Sequence, residues 1–172
     1  ARDYFKDIMS GKADFAVANP VISLATGKPI VVIASAIKRN GRTDGLVGIQ
    51  VTLDALSQTA ASIRLGKTGA GFLVDGTGLV IAHPNPDMVM KLDTLKGPEL
   101  GYKDLDTAGR ALIRGENLNM TIVRPDGAKL QLFSSVVKGT PLWSLGVLVP
   151  LVEIEESGRS IAGLVIPFSV AA

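Results

Sequence analysis

Apolar and polar positions in this chain follow a two-residue rhythm over much of its length. In Leu46–Leu53, Val47, Ile49, Val51 and Leu53 lie on one side and Gly48, Gln50 and Thr52 on the other, which is the period of a strand. Pro29–Ile37 is a β-branched run and reads as its partner. Lys38–Gly45 between them is polar and carries Asn-Gly and Asp-Gly, so the pair predicts an antiparallel hairpin. Gly71–Val74 and Leu79–Ala82, around Asp75-Gly76-Thr77-Gly78, predict another. His83-Pro84 ends it, because proline has no N–H for the ladder. Met120–Arg124 and Lys129–Val137 are strands joined through Pro125-Asp126-Gly127-Ala128, and Trp143–Val149 is the last strand. Ala13–Ala18 is a shorter candidate, ending at Asn19-Pro20.

Helical spacing appears elsewhere. Residues 2–9 put Tyr4 with Ile8 and Phe5 with Met9 at i,i+4, and Ser10-Gly11 ends the segment. Asp54 is the expected N-cap of a helix with Leu56, Thr59, Ala60 and Ile63 as its apolar stripe, stopped by Gly66. Asn85–Asp93 reads as a short helix or turn, Thr107–Arg114 as a helix, and Leu151–Arg159 as a helix with three glutamates near its positive end.

The order is that of an α+β protein with antiparallel sheets. It divides into residues 1–53, a connecting helix over 54–65, a second unit over 66–150 and an exit helix over 151–172. The second unit runs strand–strand–helices–strand–strand–strand, a PAS-like layout. The first ends with the same long hairpin but lacks its opening strands. No internal sequence repeat stands out.

Composition narrows the function. Hydrophobic residues make up 47% and charged residues 20% of 172, as in a globular chain. A net charge of +2 with scattered basic residues gives no nucleic-acid footprint. The absence of cysteine excludes disulfides, thiolate metal sites and a cysteine nucleophile. His83 is the single histidine, without metal-ligand spacing around it, and a structural role is expected. No G-x-S-x-G occurs, and Gly66-Lys67-Thr68-Gly69 lacks the glycine spacing of a phosphate loop and precedes a strand. Neither an enzyme, a metal nor a cofactor is expected. Ser160–Ala172 is uncharged. It fits either the end of a core helix or the first half of a transmembrane helix, and the membrane reading is preferred.

Binding is the better prospect. Arg2 supplies a fork for an anion, and Tyr4 and Phe5 an aromatic wall. Gln50, in mid-strand, either faces water or lines a pocket.

GFLVDGTGLVIAHP, PVISLATGKPIVVIASAI with GLVGIQVTL, and WSLGVLVPLVEI together resemble the extracytoplasmic double Cache sensor domain of bacterial methyl-accepting chemotaxis proteins. The resemblance implies two PAS-like modules, the membrane-distal one truncated at its N-terminus. It implies a ligand beside a helix carrying R-x-[WY]-[YF], which Arg2-Asp3-Tyr4-Phe5 fits. Members that bind amino acids use a tyrosine and an aspartate where this chain has Val21 and Gln50. A small organic acid is therefore the expected ligand, with Arg2, Tyr4, Phe5, Val21, Ser35 and Gln50 as the candidate set. The parent protein would be membrane-anchored and periplasmic or extracellular in this part, and a homodimer. The output is a chemotaxis signal, with a histidine kinase, a diguanylate cyclase or a PAS-like interaction domain without a small-molecule ligand as alternatives.

Overall fold

The computed structural model describes residues 2–156. Helix α1 (Asp3–Met9) is followed by strands β1 (Phe15–Val17), β2 (Val21–Ile22), β3 (Pro29–Arg39) and β4 (Arg42–Thr52). Helix α2 (Leu53–Ser62) leads to β5 (Arg64–Leu65), β6 (Gly69–Val74) and β7 (Val80–Ala82). A 3-10 helix (Thr94–Leu100) and α3 (Leu105–Ile113) precede β8 (Leu118–Val123), β9 (Lys129–Val136) and β10 (Ser144–Pro150). Residues 151–156 are helical. The remainder of the expected exit helix and the uncharged run 160–172 lie outside the described residues.

The strands form two antiparallel sheets. In the first, β3 pairs with β4 on one edge and with β1 and β2 on the other. Only Asn40 and Gly41 turn the long hairpin, at φ 51° and 78°, the left-handed pair of a two-residue loop. Asp44-Gly45 is thereby absorbed into β4, so the polar stretch expected as a turn is mostly strand. Ile8, Ile30, Val32 and Ala34 form a buried cluster beneath α1 on one face of this sheet. On the other face Phe15, Ile37, Val47 and Ile49 stay exposed.

The second sheet runs β7-β6-β10-β9-β8, the order the PAS-like reading expects, with the helices inserted after β7. The two-residue β5 was not expected. It pairs with the start of β6, on the edge that β7 takes further along. Its presence shortens α2. Ile63, expected inside that helix, is already extended, and its carbonyl accepts the Gly71 N–H at 3.2 Å. The N-terminal end of α2 also differs from expectation. Thr52 caps it, accepting the Ala55 N–H at 3.2 Å, and Asp54 instead places its charge in the first turn, where the helix dipole favours it. Thr59, expected on the apolar stripe, is exposed.

The core of the second sheet packs Phe72, Val74, Val80, Ile122 and Leu132 against Leu105, Ala108 and Leu112 of α3. A third cluster joins the sheets: Val31 of β3, Leu53 of α2, Ile81 of β7 and Trp143. Trp143 is 4% exposed, and its indole N–H donates to Asn19 Oδ1 at 3.2 Å, so the buried polar atom is satisfied.

Candidate ligand-binding site

The first candidate region lies on the α1 face of the first sheet. Arg2 is the N-cap residue of α1, and one of its N–H groups donates to the carbonyl of Ile22 in β2 at 3.3 Å. That bond uses one of the five guanidinium N–H groups. Tyr4 packs on the Ile8–Ile30–Val32 cluster, as does Val21. Gln50 stands opposite Val32 in the register, which puts it on this same face, and it is exposed. Arg2, Tyr4, Val21 and Gln50 therefore share one face.

Two members of the expected set do not join them. Phe5 is 44% exposed and outside the cluster, because consecutive helical residues diverge by about 100°. The aromatic wall is Tyr4 alone. Ser35 has the opposite parity to Val32 and Ala34 on β3, so it lies on the other face, where its hydroxyl donates to the Asp14 carbonyl at 3.4 Å.

The second region was not legible in the sequence. A cavity of about 650 Å³ opens between the second sheet, α3 and the loop after β7. Its wall is apolar, with Phe72, Leu105, Ile122, Leu132 and Leu148 among the lining residues. Gly146 lets it exist in this shape: a Cβ there would fall 2.4 Å from the Phe72 ring. Thr68, His83, Asn85, Tyr102, Arg124 and Asp126 add polar groups to the lining. His83 Nδ1 accepts the Asn85 N–H at 2.9 Å, shorter than its 3.3 Å approach to the Asn85 carbonyl, which leaves the ring proton on Nε2. Burial lowers the His83 pKa, against a smaller opposing pull from the Asn85 backbone, so the ring is neutral at pH 7. Arg124 gives one N–H to Asp126, whose other oxygen accepts from Ala128 N.

Asp75, which reads as a turn residue, is buried, and its Oδ1 accepts from Thr77 N, Thr77 Oγ1 and Leu79 N at 2.7–3.1 Å. Among the described residues, no three His, Cys, Asp or Glu side chains gather as a metal site. Among them also, no helix is long and apolar enough to cross a membrane.

The sequence also matches a known family profile. The profile described as Cache domain covers residues 1–157. The chain belongs to the Cache domain family.

Curated relatives of this Cache domain include the methyl-accepting chemotaxis protein McpG of Pseudomonas putida, 30% identical over 86% of the chain. Another is McpA of Bacillus subtilis, 26% identical over 99%. The chain spans about a fifth of each, 22% and 23% of their lengths. Among solved structures, the extracellular domain of mmHK1S-Z3, described as a histidine kinase, superposes with a TM-score of 0.72 at 23% identity. That match covers 93% of this chain and 57% of the other. The ligand-binding domain of the Pseudomonas fluorescens chemoreceptor CtaA, solved with L-serine, gives 0.60 at 26% identity, covering 87% and 60%. The matches thus include methyl-accepting chemotaxis proteins and a chemoreceptor ligand-binding domain, beside the extracellular domain of a histidine kinase.

Proposed function

We propose that this Cache domain is the extracytoplasmic, ligand-binding sensor of a transmembrane chemoreceptor. Its two sheets are read as two modules, residues 1–53 and 66–150, joined through residues 54–65. The McpG and CtaA similarities carry the chemoreceptor assignment. The likeness to mmHK1S-Z3, at 23% identity, speaks for the fold alone. Arg2, held at the Ile22 carbonyl beside Tyr4, Val21 and Gln50, supports the ligand class. It offers a guanidinium to a carboxylate, while Gln50 offers no negative charge to an ammonium. A small organic acid therefore suits this face better than the L-serine held by CtaA.

The signal passes by differential affinity. A ligand that favours one arrangement of the first sheet shifts α2, then the second sheet and residues 151–156. The deciding experiment is calorimetric titration of the chain with acetate, succinate and L-serine. Binding of an acid, weakened about tenfold or more in Arg2→Ala by loss of a charge-assisted bond, supports the reading. Binding of L-serine with no acid response overturns the ligand class, and an acid response indifferent to Arg2 overturns the site.

A further inference from the structure

The cavity of the second sheet lies outside the Arg2 face and is built for a different occupant. Its volume, about 650 Å³, is in the range of small-molecule sites. Its wall carries Phe72, Leu105, Leu112, Ile122 and Leu132, each no more than 5% exposed, so the body of an occupant must be apolar. The polar groups of the lining are biased toward donors. His83 presents Nε2–H, since Nδ1 is engaged by Asn85 N. Asn85 accepts at Oδ1 from Asp87 N, which leaves its amide hydrogens to donate. Arg124 commits one N–H to Asp126 out of five. Asp126 is the acidic lining residue, and both its oxygens already accept hydrogen bonds.

We propose that this cavity is a second ligand site, taking a small monocarboxylate with an apolar body: the body against Phe72, Leu132 and Leu148, the carboxylate beside Arg124 and His83. An amino acid is disfavoured, because its ammonium would have to compete with Arg124 for Asp126. A neutral hydrocarbon would fill the wall but leave the donors without an acceptor. Thr68 and Pro150 also line the cavity. Thr68 donates to Glu153 in the helical residues 151–156, so the occupant touches a residue bonded to the segment that follows β10.

The test is calorimetric titration of the whole chain with propionate, butyrate, hexanoate and hexanol, repeated on Arg124→Ala, Ala70→Phe and Arg2→Ala. Ala70 lines the cavity, and the larger side chain fills it. Affinity is expected to rise about fourfold per added methylene from propionate to hexanoate. Arg124→Ala, exposed at the rim and harmless to folding, is expected to weaken hexanoate about tenfold. Ala70→Phe is expected to abolish binding, and Arg2→Ala to leave it unchanged. Hexanol binding as tightly as hexanoate, or hexanoate binding untouched by Arg124→Ala, overturns the proposal. Loss of hexanoate binding in Arg2→Ala overturns it too, while leaving the Arg2 site standing. Absence of any hexanoate binding overturns it without bearing on small acids at Arg2.

Discussion

The carboxylate of Glu153 accepts the backbone N–H of Lys67 at 2.7 Å, across 86 residues of sequence. It also accepts from Thr68 N at 3.3 Å and from the Thr68 hydroxyl. The Thr68 hydroxyl, followed by the two backbone donors, holds the Glu153 carboxyl below the usual carboxylate range. This contact ties the loop before β6 to helical residues 151–156. Glu153→Ala should speed amide hydrogen exchange at Lys67 and Thr68 while leaving β9 protected. The sign with pH is fixed by the lowered pKa. The contact is complete above the ordinary carboxylate range, about pH 4, and is lost as pH falls through the lower folded value. Exchange at these two amides that is unchanged by the substitution would show the contact to be incidental.

Trp143 should dominate the junction between the sheets. It is the single tryptophan, so its emission reports on this site alone. Trp143→Phe keeps most of the packing against Val31, Leu53 and Ile81 but leaves Asn19 Oδ1 without its donor. The expected loss is about 1 kcal/mol in urea unfolding. Trp143→Ala removes the packing as well and should cost about 3–5 kcal/mol. A near-neutral Trp143→Ala would mean that the two sheets are held together by something other than this cluster.

Much of the architecture is readable in advance because it rests on local rules. Asn40-Gly41 fixes the long hairpin, the alternation of β4 fixes which residues share a face, and the β6–β7, β8–β9 and β9–β10 pairings follow from their turns, whereas the β6–β10 pairing does not. What escaped depends on contacts distant in sequence. Asp54 is the better cap by residue type, but β4 ends at Thr52 and the choice falls there. The Trp143–Asn19 bond spans 124 residues. On the Arg2 face, helical geometry separates Phe5 from Tyr4, and strand parity removes Ser35. The cavity was hidden because its rim uses Arg124 and Asp126, which in sequence are ordinary residues of an Asp-Gly turn.

His83 gives the fold a pH dependence near neutrality. Its burial lowers the folded pKa below the unfolded value of 6.5. The unfolded chain therefore binds more protons between the two values, and stability falls as pH drops below 6.5 until the folded pKa is passed. Thermal melts from pH 8 to pH 5 should show this decline, and His83→Gln should flatten it. An equal decline in the substituted chain would place the titrating group elsewhere.

Gly146 and Phe72 are paired across β10 and β6, and a Cβ on residue 146 would meet the ring at 2.4 Å. The atoms it meets are the far edge of the ring, so rotation relieves the clash. Empty space for that rotation exists on one side, in the cavity that Phe72 lines. Gly146→Ala should therefore stay folded at a cost of about 1–3 kcal/mol, the usual range for an overpacked position. The ring should then occupy the cavity, and hexanoate binding should be lost. Adding Phe72→Leu removes the displaced ring and should restore part of the binding, so the two substitutions are non-additive. Additive losses in that double-mutant cycle would mean that the ring turns away from the cavity, and that Gly146 serves packing alone.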